Sequence, residues 1–275
     1  MRNVMLIISH KRPQCSTVKA LKKAGYTGEW FIVADDLDST DYERIYPNHV
    51  IRFQKLEYAK NVDTADNFGK LTTPVYARNA CFDIAKNRGY DCFGLLDDDL
   101  NGFIYRYTEG KSLKSKKVKR LTEIFEAYCK YVLDAGFACG GFVSAGRLIG
   151  GALNPTVRSC FYYNPTNAYV INTHIEQFPF IGTFWEDSIY CYLNNMTGRI
   201  AAAFMPITIQ MVSPGSMADG GNKELYESGS AYIAESYGNM VIPSFFRWND
   251  GCIGHKFSQD VPRIISDKWR KDDAG

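Results

Sequence analysis

Three consecutive aspartates, Asp97, Asp98 and Asp99, have the clearest potential for chemistry in this sequence. They follow the apolar run 92–96, and an apolar run between turn residues is typical of a buried strand. Because side chains alternate along a strand, we expect Asp97 and Asp99 on one face and Asp98 on the other. Carboxylates at the carboxyl end of a parallel strand lie where open α/β sheets bind ligands, and such oxygen donors suit Mg²⁺ or Mn²⁺. The alternative is an acidic turn in water, and the triplet alone does not decide between the two.

Polar groups in the first half of the chain are candidates for nucleotide contacts. Asp35 and Asp36 end a second apolar run, and a carboxylate there can accept hydrogen bonds from a base or a ribose. Arg78 lies in the first turns of a predicted helix, and its guanidinium can bind phosphate or stack on a base. Each residue also has a common structural interpretation, as a turn aspartate or as a solvated helix arginine.

Polar groups in the second half are candidates for catalysis and metal binding. Glu186 and Asp187 begin an amphipathic helix, where the helix dipole favours acids and is expected to lower their pKa. Such a carboxylate can still act as a base toward an acceptor hydroxyl. Of the four histidines, His255 is the best candidate for a metal ligand, although a lone histidine more often has a structural role.

Periodicity predicts the elements that must position these residues. A helix is predicted from Thr73-Pro74 to Gly89, directly before the aspartate strand. The other predicted helices end at Gly25, Gly136 and Gly198. The predicted strands are 4–9, 30–34, 50–53, 92–96, 137–143, 168–172 and 201–212. Alternating strands and helices favour an α/β fold with a right-handed, mostly parallel sheet, and Pro206 in the last strand indicates an edge or a bulge.

Composition limits the class of protein. The 275 residues, 45% of them hydrophobic, are sufficient for a large core, and we expect a single domain over 1–275. A formal net charge of +2 indicates no global attraction to a polyanion, although the basic stretch 111–120 provides a local one. The eight cysteines show no zinc-type spacing. Residues 1–8 are too short for a signal peptide and no stretch is long enough to span a membrane, so we expect a cytoplasmic protein without a membrane partner.

Taken in order, these residues resemble the GT-A glycosyltransferases over roughly residues 4–199. The motifs that carry the resemblance are the opening loop 8–13, Asp35-Asp36, the helix start 76–80, the triplet within 95–100, and the acidic motif 185–187. The triplet resembles the metal-binding DxD motif of that family, and the acidic motif resembles its acceptor-side motif. The resemblance implies one domain, in which 1–105 bind the nucleotide sugar and 106–275 bind the acceptor.

The resemblance also implies a role for each candidate residue. Asp97 and Asp99 bind Mn²⁺ or Mg²⁺, with His255 as a further candidate ligand, and Glu186 or Asp187 is the catalytic base. The residues assigned to the nucleotide sugar are His10, Arg12, Asp35, Asp36, Arg78, Asp97 and Asp98. A base that activates the acceptor implies an inverting displacement, while residue identity alone leaves a retaining scheme open.

Two segments narrow the resemblance to the TET-associated glycosyltransferases. These are the polar segment 66–70 and the segment 182–187. That group is known from bacteriophages and modifies hydroxymethylated pyrimidines in DNA. It implies a UDP-sugar donor, with UDP-N-acetylglucosamine as one candidate. It also implies 5-hydroxymethylcytosine in duplex DNA as acceptor, in the host cytoplasm if the chain is phage-encoded.

Other functions stay open from the sequence. One is transfer to a glycan or another non-DNA acceptor, and another is a non-catalytic nucleotide-binding module. The intact Asp97, Asp99, Glu186 and Asp187 argue against a degenerate module. A nucleotidyltransferase is less favoured, because the segment 9–15 lacks the glycines of a phosphate-binding loop.

Overall fold

Helices cover both faces of one large β-sheet in this protein. The computed structural model describes residues 1–64, 71–162, 164–183, 186–211, 241–247 and 253–257. The strands are β1 (Asn3–Ile8), β2 (Trp30–Asp35), β3 (Val50–Phe53), β4 (Cys92–Asp97), β5 (Leu100–Glu109), β6 (Ser112–Lys117), β7 (Cys139–Ser144), β8 (Phe161–Tyr162), β9 (Ala168–Asn172), β10 (Ala203–Met211), β11 (Val241–Arg247) and β12 (Ile253–Phe257). The helices are α1 (Ser16–Lys23), α2 (Tyr42–Ile45), α3 (Lys55–Asn61), α4 (Val75–Asn87), α5 (Leu121–Asp134), α6 (Pro155–Ser159) and α7 (Glu186–Met196), with 3₁₀ turns at Ala145–Leu148 and Gly151–Leu153.

The sheet contains ten strands in the order β3-β2-β1-β4-β9-β7-β10-β5-β6, and β8 pairs with β10. The strands β1 to β4 are parallel, and β10 is parallel to β7. In contrast, β9 is antiparallel to β4 and β7, while β5 and β8 are antiparallel to β10. Most strands share one direction, which confirms the predicted α/β fold with a mostly parallel sheet. β11 and β12 form a separate antiparallel pair.

Alternating side chains of β1 enter two hydrophobic cores, one on each face of the sheet. Met5 and Ile7 pack with residues of α1 and α5, whereas Leu6 packs on the opposite face with residues of α4 and α7. All three side chains are fully buried. Burial on both faces is the reason why the central strands are continuous apolar runs rather than alternating ones.

The strand that contains Pro206 is internal to the sheet. β10 pairs with β7 on one side and with β5 on the other, so the predicted edge position is wrong. The predicted bulge is confirmed, since the register with β7 shifts between Phe204 and Thr208. Pro206 therefore lies where the ladder is already interrupted, and its missing N–H breaks no regular pairing.

Most of the basic stretch 111–120 lies in the strand β6. β5 and β6 make an antiparallel hairpin that turns at Gly110, whose φ of +59° lies in the left-handed region. The helix α5 begins only at Leu121. Periodicity missed this hairpin because the residues of β6 are nearly all polar and exposed, so they show no buried face.

The cysteines of the described residues are free thiols. Most are buried among apolar side chains, where a thiol behaves as a small hydrophobic group. Throughout the described part of the chain, no helix combines the length and hydrophobicity that a membrane span requires.

Candidate functional site

The aspartate triplet connects β4 to β5 at the carboxyl end of β4. Asp97 is the last residue of β4, and Asp98 and Asp99 form the turn before β5 begins at Leu100. Thr17, in the first turn of α1, holds this turn in place. Its hydroxyl donates to the Asp97 carbonyl at 2.6 Å and accepts from the Leu100 N–H at 2.9 Å. The three carboxylates therefore extend from one fixed segment of backbone.

Asp98 points into the protein. Its carboxylate accepts hydrogen bonds from the Ser9 hydroxyl and from the Arg12 guanidinium, both at 2.6 Å, and only 6% of the residue is exposed. The Arg12 N–H donates to the Tyr42 hydroxyl at 3.0 Å. Burial raises the pKa of Asp98, and the nearby Arg12 opposes that rise. Asp98 and Arg12 therefore pair with each other and hold the loop after β1, and their contact with a nucleotide stays a prediction.

Asp99 differs from Asp98 in the hydrogen bonds of its carboxylate. Its Oδ1 atom is buried and has no hydrogen-bond partner among the described residues. Burial raises the pKa of Asp99 to about 7, and the charges of Asp97 and Asp98 add to this rise. A buried carboxylate oxygen without a donor is costly, so the position is suited to a ligand that supplies positive charge.

The donor set around Asp99 fits a divalent cation that is shared with a diphosphate. Within the described ranges, no group of three or more His, Cys, Asp or Glu side chains is arranged to hold a metal by itself. Mg²⁺ needs no such cage, because it usually binds one or two carboxylates, waters and substrate phosphates. Asp99 and the partly exposed Asp97 provide two such carboxylates. The predicted third ligand, His255, lies in β12, and its side chain falls outside the described residues.

Arg78 connects the triplet to the acidic pair at the start of α7. Its guanidinium donates to Asp97 at 3.1 Å and to the Tyr169 hydroxyl at 3.0 Å, and lies 3.3 Å from a Glu186 carboxylate oxygen. Burial alone would lower the pKa of Arg78, but Asp97 and the other acidic neighbours hold it well above its usual value. Only 2% of Arg78 is exposed and its guanidinium contacts two carboxylates, so the predicted contact with the nucleotide stays a prediction.

The acidic pair lies in a buried environment. Glu186 is 7% exposed, whereas Asp187 is partly exposed and accepts the Ser188 N–H at 2.7 Å. Burial raises the pKa of Glu186 to about 7, although Arg78 opposes the rise. Burial also raises the pKa of Asp187, against the charges of Arg78 and Arg147. The expected lowering by the helix dipole is therefore wrong, because burial outweighs it, and both groups are stronger bases than ordinary carboxylates.

Hydrogen bonds from the start of α4 fix the segment that leads into α7. The Asn79 side chain donates to the Phe180 carbonyl at 2.8 Å and accepts the Phe180 N–H at 2.9 Å. The Thr73 hydroxyl donates to the Thr183 carbonyl at 3.2 Å. These bonds join α4, which carries Arg78, to the chain just before Glu186. Trp185, the first residue of the acidic motif, lies outside the described residues.

The predicted nucleoside contacts at the end of β2 divide into buried and exposed groups. Asp35, which is 2% exposed, lies 2.8 Å from His10 Nδ1 and 3.0 Å from Lys55 Nζ. Burial alone would raise the pKa of Asp35, but these two hydrogen bonds outweigh it and lower the pKa to about 2. Asp36 is exposed and accepts the Lys55 N–H at 2.9 Å. Asp36 and the partly exposed His10 are therefore more accessible from solvent than Asp35 is.

Asp35→Asn is expected to destabilise the protein by about 2 kcal/mol at neutral pH. The folded pKa of about 2 lies below the unfolded value of 3.8, so the carboxylate stabilises the fold above about pH 4 and loses this effect as the pH falls to about 2. Urea unfolding at several pH values measures the difference between variant and wild type. Glu57→Gln, at an exposed pair with Lys60, is the control and should change stability little. An equal free energy of unfolding for Asp35→Asn and wild type at pH 7 would contradict the assignment.

The sequence patterns did not identify several residues of the site. Asn167 donates to Asp97 at 2.7 Å, and Tyr169 accepts from Arg78. Asn167 directly precedes β9, and the register of β9 with β4 places Ala168 opposite Leu96. The strand order would have revealed this neighbour, but the sequence of a single strand does not indicate its order in the sheet.

The basic stretch lies on β6, and two tyrosines of β5 share its outer face. Tyr105 and Tyr107 stack at 5.8 Å, and Lys116 lies 5.4 Å over the ring of Tyr107. Tyr105 is opposite Lys116 in the hairpin, and Tyr107 is opposite Lys114. β5 begins beside the triplet and carries these residues away from it, so the stretch forms a separate basic surface.

Comparisons with known proteins give a family match over most of the chain. The family model described as TET-associated glycosyltransferase matches residues 4–220, a range that includes the triplet, Arg78 and the acidic pair. No curated protein matches significantly. Among solved structures, glucosyl-3-phosphoglycerate synthase from Mycobacterium tuberculosis, in complex with Mn²⁺, UDP and phosphoglyceric acid, aligns at 10% identity over 98% of this chain and 91% of that chain, with a TM-score of 0.44. The galactosyltransferase LgtC, in complex with donor and acceptor sugar analogues, aligns at 10% identity over 69% of this chain and 70% of that chain, with a TM-score of 0.37.

Proposed function

We propose that this chain, which belongs to the TET-associated glycosyltransferase family, transfers a sugar from a UDP-sugar to the hydroxyl of 5-hydroxymethylcytosine in DNA. UDP-N-acetylglucosamine is one candidate donor. Residues 1–105 form the donor half of the single domain and 106–275 the acceptor half. A DNA acceptor implies that the reaction takes place in the cytoplasm, that of the host if the chain is phage-encoded.

The environment of Asp99 is the observation that carries this proposal. Its partnerless Oδ1, next to the partly exposed Asp97, fits Mn²⁺ or Mg²⁺ together with the diphosphate of a nucleotide sugar. When bound, such an ion neutralises the charge that develops on the departing UDP. Asp36 and His10, at the neighbouring end of β2 and in the loop after β1, are available to the nucleoside.

The acidic pair supplies the base. In our mechanism Asp187 takes the proton of the acceptor hydroxyl, the hydroxyl oxygen bonds to the anomeric carbon, and the bond from that carbon to UDP breaks with inversion. Asp187 suits this role because it is partly exposed and burial raises its pKa. Glu186 is the more deeply buried of the two and is held by Arg78, so it acts as a positioning residue for that guanidinium.

Incubation of the protein with a duplex that carries one 5-hydroxymethylcytosine tests the proposal. With Mn²⁺ and the correct UDP-sugar, intact-mass analysis of the DNA should show the addition of one sugar residue. Duplexes with cytosine or 5-methylcytosine at the same position are matched controls, and they should stay unmodified because they lack the hydroxyl. Consumption of UDP-sugar with a glycan acceptor, without any modification of DNA, would contradict the DNA acceptor and favour the glycan alternative.

A further inference from the structure

The two most exposed large aliphatic side chains of the described residues lie on one turn that follows β7. Ile149 is 83% exposed and Leu153 is 70% exposed. They lie on either side of Gly150 and Gly151, whose φ angles of +102° and +62° belong to the left-handed region. Two such glycines in succession turn the chain sharply, so both side chains project from the surface. We name Ile149 and Leu153 the aliphatic tip.

Hydrogen bonds and packing fix the turn that carries the aliphatic tip. The Asn154 side-chain amide donates to the Arg147 carbonyl at 3.0 Å and to the Ile149 carbonyl at 2.7 Å. Below the turn, Leu148 and Val157 are buried in a small hydrophobic cluster. The exposure of the tip is therefore a property of an ordered turn, and a partner that covers it meets a surface that is already organised.

The turn follows the carboxyl end of β7, and β7 runs in the same direction as β4. The positive charge of Arg147, two residues before Ile149, acts on Asp187. On the other side Leu113 of β6 packs against the same hydrophobic cluster as Leu148. The aliphatic tip thus follows a strand that ends at the same edge of the sheet as β4, where the triplet lies.

The chain around the aliphatic tip is rich in positive charge. The segments 110–122 and 135–175 contain no Asp or Glu. Their basic residues, apart from His174, are Lys111, Lys114, Lys116, Lys117, Lys119, Arg120, Arg147 and Arg158. Two of them form ion pairs with acids just outside these segments, Lys114 with Glu109 and Arg120 with Glu123. An aliphatic tip within a basic surface complements a partner with an anionic exterior and an apolar interior. Duplex DNA has both properties, in its phosphates and in its stacked bases. Two aliphatic residues offer too small an area for stable insertion into a bilayer.

We propose that Ile149 enters the duplex beside the target base and fills the space that this base leaves when it turns toward Asp187 and Asp99. Leu153 covers the neighbouring base pair. This inference rests on the DNA acceptor of the proposed function and adds the manner in which that acceptor is presented. Apolar side chains that wedge between bases compensate part of the cost of unstacking, and enzymes that act on bases often extrude them.

Ile149→Ser tests the inference with three acceptors that carry 5-hydroxymethylcytosine: a paired duplex, a duplex with an abasic site opposite the target, and a single strand. On the paired duplex kcat/KM should fall by about 10-fold or more, because the cost of unstacking is no longer offset. On the other two acceptors the change should stay within about 2-fold, because the target base is already unpaired. A 2-aminopurine next to the target should show a smaller fluorescence increase with the variant than with wild type.

Matched variants separate this role from structural damage. Met196→Ser removes another exposed apolar side chain, at the end of α7 opposite the acidic pair, and should behave as wild type on all three acceptors. Leu153→Ser should resemble Ile149→Ser with a smaller effect. An equal loss on all three acceptors, or no loss on the paired duplex, would overturn the inference while leaving the proposed function in place. Flotation of wild type with anionic vesicles that is lost in Ile149→Ser would also overturn it, in favour of a membrane. Failure of wild type to modify any DNA would overturn both.

Discussion

Asp99→Asn is expected to weaken the Mn²⁺-dependent binding of UDP by about 10²-fold or more, because charge stabilisation by a bound cation amounts to several kcal/mol. Asp99 Oδ1 is a buried carboxylate oxygen without a hydrogen-bond partner among the described residues. A cation bound near the triplet is therefore stabilised most strongly beside this oxygen. The amide of the variant keeps an oxygen and the shape of the side chain, but loses the charge. Calorimetric titration of UDP with and without Mn²⁺ measures the effect.

The same substitution should stabilise the protein in the absence of metal. The pKa of Asp99, raised to about 7 in the folded state, exceeds the unfolded value of 3.8. The unfolded chain therefore releases this proton first, and the ionised carboxylate costs folding free energy as the pH rises from about 4 to about 7. In EDTA at pH 8, Asp99→Asn should have a higher Tm than wild type, and near pH 4 the two should be similar.

Asp91→Asn is the matched control for this experiment, because Asp91 directly precedes β4, at the opposite end of the strand from the triplet. It should leave the Mn²⁺ dependence of UDP binding unchanged. If wild type and Asp99→Asn bind UDP equally, with and without Mn²⁺, the metal assignment of the triplet is wrong.

The strands on which the site stands could be predicted from the sequence because their signals are local. The runs that form β1, β2, β3 and β4 are apolar, short and bounded by turn residues, and their predicted limits agree with the structure to within one residue. Burial on both faces makes these runs continuous, and the carboxylates mark the ends of β2 and β4. The positions of Asp97 and Asp99 at the carboxyl end of β4 therefore follow from the one-dimensional pattern.

The partners of the charged residues could not be predicted, since they depend on tertiary packing. Arg12 and Asp98 are 86 residues apart in the chain, and their pairing follows from the parallel neighbours β1 and β4. Arg78 and Glu186 are even more distant in sequence, and the contact depends on how α4 and α7 pack on the sheet. Burial also reversed the expected pKa shift of Glu186. The sequence indicates that this residue begins a helix, but it does not indicate how deeply the carboxylate is buried.

The geometry of Arg78 has a mechanistic consequence. One buried guanidinium binds both Asp97, which we propose lies on the donor side, and Glu186, which we propose lies on the acceptor side. Any shift of one carboxylate therefore changes the position of the other through a single charged group. The Glu186 carboxylate is held by Arg78, whereas Asp187 is more exposed and can be reached by an acceptor hydroxyl. The two acids of the pair should consequently respond differently to substitution.

Asp187→Asn is expected to lower kcat by roughly 10²–10⁴-fold while UDP affinity stays close to that of wild type. The base must be ionised to accept a proton, and burial raises the pKa of Asp187 above that of an ordinary aspartate. The kcat of wild type should therefore rise with pH through this raised pKa and then level off. The variant should lose that dependence. Steady-state kinetics between pH 5 and 9, together with calorimetry of UDP, measure both effects.

Glu186→Gln provides the comparison that distinguishes a base from a positioning residue. It keeps the size of the side chain but removes the negative charge that faces Arg78. UDP affinity and kcat should therefore change together. The loss of kcat should be smaller than in Asp187→Asn, and kcat should still rise with pH. If Glu186→Gln abolishes the pH dependence and Asp187→Asn does not, Glu186 is the base and the roles are exchanged. If neither substitution slows transfer, the acidic pair activates no acceptor, and either the base lies elsewhere or the displacement is retaining.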